Sequence, residues 1–114
     1  MENSFERALM MKQYLQDTLG FEFQTTLWED FSIRDGFFGP QGVVEHYKVV
    51  FDQWKDNVKF LTELVLVLNL KIASWFCVDD DLGRTYEYLW KITDAYALET
   101  LKGDDLHYYL NTLD

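Results

Sequence analysis

The stretch Val58–Cys77, VKFLTELVLVLNLKIASWFC, most constrains what this chain can fold into. Only Lys59, Glu63 and Lys71 carry charge in it, and its aliphatic residues follow one another almost without a break. A helix that is apolar nearly all round belongs in the middle of a domain or in a membrane. Three charges and the lack of a basic flank argue against a membrane span. The segment therefore predicts a buried central helix, and the remaining chain reads as material arranged to cover it.

That covering is helical. Phe5, Ala8, Leu9, Leu15 and Leu19 recur at helical spacing and predict a first helix over Ser4–Leu19, with Asn3-x-x-Glu6 as its capping box and Gly20 as its stop. From Phe21 to Trp28 the residues alternate as in a strand, but no second strand offers itself as a partner. The expectation is an extended lead-in over Phe21–Thr25 followed by a short helix over Thr26–Arg34, opened by the box Thr26-x-x-Glu29. Asp35-Gly36-Phe37-Phe38-Gly39-Pro40 reads as the one clear loop, with Pro40 suited to the first position of the next helix. That helix carries Val43, Val44, Tyr47, Val50, Phe51 and Trp54 inward and Glu45, Lys48, Asp52 and Lys55 outward. Asp56-Asn57 is the expected cap of the central helix, running over Asn57–Cys77 with its main stripe on Leu61, Leu64, Val65, Leu68, Ile72 and Trp75. Asp79-Asp80-Asp81 marks the following break and places carboxylates at a helix N-terminus, where the helix dipole favours them. A helix over Asp81–Lys102 and a short terminal one over Leu106–Leu113, capped by Asp104 or Asp105, complete the pattern. The predicted fold is all-α: one domain over residues 1–114, a compact bundle of five to six helices around one central hydrophobic helix.

Composition narrows the partners. Twenty acidic against ten basic residues give a formal net charge of −10. Such a surface repels nucleic acid and anionic lipid and suits a basic partner. Hydrophobic residues make up 48% of the chain, enough for a core. The four Trp, seven Tyr and nine Phe exceed what a domain this size needs to bury, so some are expected where the protein meets something else. The single cysteine, Cys77, fits a reducing compartment and is expected as a small buried hydrophobe. The opening MENSFERALMMKQ has charges where a secretory signal would be apolar, so a soluble, cytoplasmic protein is expected.

No pattern here predicts catalysis, a metal or a cofactor. His46 and His107 lack a second ligand at metal-binding spacing, and Cys77 has no companion His on a matching face. Asp79–Asp81 departs at once from a calcium-loop pattern, because Leu82 and Gly83 follow. Asn69 is expected to hydrogen-bond across the core and fix helix register, and Lys71 to reach its ammonium out to the surface. What remains is the carboxylate distribution. Glu29, Asp30, Asp35, Glu45, Asp52, Asp56, Asp79, Asp80, Asp81 and Glu87 are the candidate partner-binding residues, set on helix ends and exposed faces. Rigid helices can hold carboxylates at spacings that imitate nucleic-acid phosphates.

Across WEDFSIRDGFFG (Trp28–Gly39), FDQWKDNVKFLTELVLVLNLKI (Phe51–Ile72) and LKGDDLHYYLNTLD (Leu101–Asp114), the chain resembles a group of small all-α proteins encoded by bacteriophages and integrative mobile elements of gut-type bacteria. No activity is attached to that group. The resemblance implies an accessory protein of mobile DNA, a class that acts stoichiometrically on host machinery such as restriction and CRISPR nucleases, some of its acidic members as DNA mimics. The expected function is a non-enzymatic, acidic binding module that inhibits or regulates a basic, nucleic-acid-handling protein without touching nucleic acid or membrane itself. The alternative is a self-assembling phage or mobile-element protein with an aromatic homodimer interface.

Overall fold

The computed structural model describes residues 4–19 and 22–113, so the expected cap at Asn3, the stop at Gly20 and the start of the lead-in at Phe21 lie outside the described residues. Six helices follow in order: α1 Ser4–Leu19, α2 Leu27–Phe37, α3 Gly39–Trp54, α4 Val58–Trp75, α5 Asp80–Thr100 and α6 Gly103–Leu113. The described residues contain no strand, and the ambiguous stretch before α2 is irregular backbone. The chain is a single all-α bundle built on α4.

Side-chain ties fix the helix directions. Glu63, early in α4, accepts hydrogen bonds from Gln24 N and Thr25 N at the approach to α2, while Lys71, late in α4, reaches Asp35 late in α2. α2 and α4 therefore run parallel. Tyr47 meets Thr93 at mid-length and Phe51 packs edge-on to Tyr96, so α3 and α5 also run parallel, and opposite to the first pair. One pole of the bundle thus collects the C-terminal ends of α2 and α4 and the N-terminal ends of α3 and α5. α6 closes the other part of the molecule, where Leu61, Val65, Ala97 and Tyr109 form a second core cluster. Tyr109 donates a hydrogen bond to Asp94 and so ties α6 to α5.

α4 serves both clusters. Its Leu64, Val67, Leu68 and Trp75 lie in the main core with Trp28, Phe31, Val43, Tyr86 and Leu89, while Leu61 and Val65 belong to the second. Each fully buried aliphatic or aromatic side chain contributes about 1.5–3 kcal/mol, which is why this helix dominates the fold. Asn57 Oδ1 accepts from Lys59 N and Phe60 N as a helix N-cap, and Asp79 Oδ1 does the same for Asp81 N and Leu82 N at α5. Such caps hold about 1 kcal/mol each.

Several local expectations are corrected. The stretch Asp35–Pro40 is not a loop: α2 runs through Phe37, α3 starts at Gly39, and Phe38 alone joins them. Gly39 makes this tight joint feasible with a positive φ of 67°. Thr26 does not cap α2; its hydroxyl donates to Asp30, and the hydroxyl of Thr25 accepts from Leu27 N instead. α6 begins at Gly103, also at positive φ, so Asp104 and Asp105 lie within its first turn rather than capping it from outside. Asn69 is exposed and sets no register in the core. Lys71 is wholly buried, and Cys77 is exposed.

Candidate binding surface

The densest polar chemistry in the molecule lies inside it. The Lys71 ammonium donates to Ser32 Oγ at 2.5 Å and to Asp35 Oδ2 at 3.0 Å, and sits 4.8 Å from the centre of the Trp28 ring. The same carboxylate oxygen accepts from Trp75 Nε1 at 2.9 Å and from the Tyr86 hydroxyl at 2.8 Å. Asp35 Oδ1 makes no hydrogen bond. Burial pulls the pKa of Lys71 below its ordinary value, with Asp35 pulling it back up. Burial, then Asp35, push that of Tyr86 well above its own. A serine against a lysine has the make-up of a nucleophile and its base. Here both side chains are sealed from solvent, and Ser32 donates its proton to Trp28 O at 2.7 Å. The cluster binds α2, α4 and α5 together; no substrate reaches it.

Glu63 is a second buried carboxylate. Its two oxygens accept from Gln24 N, Thr25 N and Thr25 Oγ1 at 2.8–3.0 Å, which fastens the segment before α2 onto α4. His46 is half-buried with its ring edge-on to Phe31, and burial lowers its pKa. Among the described residues no three His, Cys, Asp or Glu side chains converge as metal ligands would. No helix of the described residues is long and apolar enough to cross a membrane.

The candidate carboxylates do not form one face. Asp35 leaves the set, because it lies in the core rather than outside. Glu29 is ion-paired with Lys12, and Asp30 accepts from Thr26; both are half-buried at the start of α2. Asp52 pairs loosely with Lys55 and Asp56 is exposed, both at the end of α3 and so toward the pole opposite α5's start. Glu45 is exposed midway along α3 and accepts from Gln41, while Glu87 pairs with Lys91 along α5. Asp79, Asp80 and Asp81 stay together, all exposed, at the N-terminus of α5.

What the structure adds is the company those three keep. Phe37 is 81% exposed, Tyr88 63%, Phe38 60% and Phe76 53%. Phe37 ends α2 and Phe38 joins it to α3; Phe76, with exposed Cys77 and Val78, lies in the α4–α5 joint; Tyr88 is two turns into α5. A groove of about 480 Å³ runs between the two helix starts, lined by Pro40 and Val44 of α3 and by Asp81, Arg84, Thr85 and Tyr88 of α5. The basic side chains nearby are already engaged: Arg84 Nε pairs with Asp80 at 2.8 Å, and Arg34 lies over the Phe38 ring at 5.5 Å. Exposed aromatics framed by carboxylates thus mark this pole. A second cleft, of about 340 Å³ between the 22–24 segment, α4 and α6, is lined by Glu22, by Lys59 and by a Glu63 already bonded to backbone, so it presents no single sign of charge.

Compared with family models, with curated proteins and with solved structures, the chain matches none of them.

Proposed function

We propose that this chain is a non-enzymatic binding protein whose acidic, aromatic pole docks onto a basic, nucleic-acid-handling partner and inhibits or regulates it. A restriction or CRISPR nuclease is the kind of partner that fits. The observation carrying this reading is the pole itself: four aromatic rings more than half exposed, bordered by Asp79, Asp80 and Asp81. Aromatic side chains supply much of the affinity of protein interfaces, and surrounding charges steer the encounter and select the partner. The formal charge of −10 makes that steering specific to cationic surfaces. It also argues against the homodimer, since a symmetric contact through this pole would bring two Asp79–Asp81 triplets together. A phage or mobile-element origin and a cytoplasmic setting belong to the same proposal.

The test is association of the full chain with a panel of purified restriction and CRISPR nucleases, at low and high salt and with duplex DNA as competitor. Binding that weakens with salt, is displaced by DNA, and is lost when Phe37, Phe38 and Phe76 are changed to Ser supports the proposal. Binding indifferent to salt and to those changes, or the absence of binding across the panel, sinks it.

A further inference from the structure

The groove between α3 and α5 has a chemistry more particular than the pole around it, and we infer that it receives an arginine side chain of the partner. This rests on the binding proposal above and adds to it the identity of the recognised group.

Three features of the groove match the three parts of an arginine. Pro40 and Val44 offer an apolar wall to the aliphatic stem. The Tyr88 ring, 63% exposed, offers a flat face on which a guanidinium stacks. The Asp81 carboxylate is exposed, lines the groove, and is tied to no side chain among the described residues, so both of its oxygens are open to a fork of N–H donors. Arg84 also lines the groove, but its charge is matched by Asp80 at 2.8 Å, and Asp79 lies one residue further back. The groove's unmatched charge is therefore negative. Three carboxylates on the first turn of α5 and its cap also outweigh the roughly half positive charge of a helix N-terminus. Lysine shares the charge of arginine but has no planar face to lay on Tyr88 and no fork to place on Asp81, which makes arginine the better occupant.

The experiment titrates the full ¹⁵N-labelled chain with N-acetyl-arginine amide, N-acetyl-lysine amide and N-acetyl-citrulline amide. Citrulline keeps the shape of arginine without its charge. Arginine amide is expected to shift the backbone signals of Val44, Thr85 and Tyr88 first, to bind more tightly than lysine amide, and to leave citrulline amide far behind. Tyr88→Ala and Asp81→Asn should each weaken it about threefold or more, while Asp52→Asn, at the other end of α3, leaves it unchanged. The same spectra report whether each variant is folded. Shifts spread evenly over every acidic helix end, citrulline amide binding as well as arginine amide, or equal losses from Asp52→Asn and Asp81→Asn would each overturn the inference. If nuclease binding survives Tyr88→Ala and Asp81→Asn yet is lost with the Phe37, Phe38 and Phe76 changes, the arginine groove falls and the binding pole stands. Groove binding of arginine amide without any nuclease association has the opposite meaning.

Discussion

Removing the Lys71 ammonium while keeping Asp35 would strand a carboxylate beside Trp75 and Tyr86 with one of its oxygens already without a partner. Breaking a buried pair from one side costs about 3–5 kcal/mol, whereas replacing both partners with apolar groups of similar size is often close to neutral. Lys71→Met and Asp35→Leu should therefore each lower the urea midpoint strongly, and the double substitution should recover most of the loss. A double variant as unstable as the sum of the singles would show that the two residues act independently. With total stability of small domains at about 5–15 kcal/mol, either single change removes a large part of it. The pair also explains why a lysine within an apolar helix turned inward: on the face of α4 that meets α2, a carboxylate, a hydroxyl and an indole ring are waiting for its charge. Nothing in the local sequence of α4 carries that information, because Ser32 and Asp35 are almost forty positions away, 39 and 36 along the chain.

At the scale of elements, the binding pole depends on how closely α5 starts against the end of α4. A Cβ built on Gly83 would lie 3.0 Å from Phe76 Cα, a backbone atom that cannot swing aside. Gly83→Val is expected to push the α4–α5 joint open, lowering the melting temperature and displacing the resonances of Phe76 and Asp79. A variant that melts like the parent with those signals unmoved would show that the close approach is not needed. The α2–α3 joint is built on the same principle, since a Cβ on Gly42 would meet Phe38 Cβ at 2.2 Å. Both glycines thus lie where a tight turn leaves aromatic side chains on the outside. The helix stripes themselves were legible by periodicity: the inward residues expected for α3 and the main stripe expected for α4 are all buried or half-buried. The joints were not, because Gly and Pro announce a break without saying how many residues it spans.

For the whole molecule, twenty acidic residues in 114 leave the folded state under its own repulsion. Its exposed ion pairs relieve little of this, since such contacts contribute about 0.2–1 kcal/mol. Added monovalent salt should accordingly raise the melting temperature through the range where the screening length falls from about 30 Å to about 8 Å. A melting temperature that falls over that range would mean that the ion pairs, Arg84 with Asp80 among them, outweigh the repulsion. The same field favours cationic partners at a distance, while the exposed rings act only at contact.

By itself the sequence determined the helical class, the central place of the Val58–Cys77 stretch, the cap at Asp56-Asn57, the carboxylates of Asp79–Asp81 at a helix start, and the sign of the surface charge. Each follows from local spacing or from a sum over residues, and none depends on which helix neighbours which. Only the tertiary structure decided that Asp35 is a core residue, that Lys71 and Glu63 are buried with partners, and that the candidate carboxylates are dispersed rather than gathered on one face. It alone brought Pro40 and Val44 at the start of α3 across the groove from Asp81 and Tyr88 of α5. Those facts depend on the parallel pairing of α2 with α4 and of α3 with α5, which joins residues dozens of positions apart and leaves no trace in the periodicity of either helix.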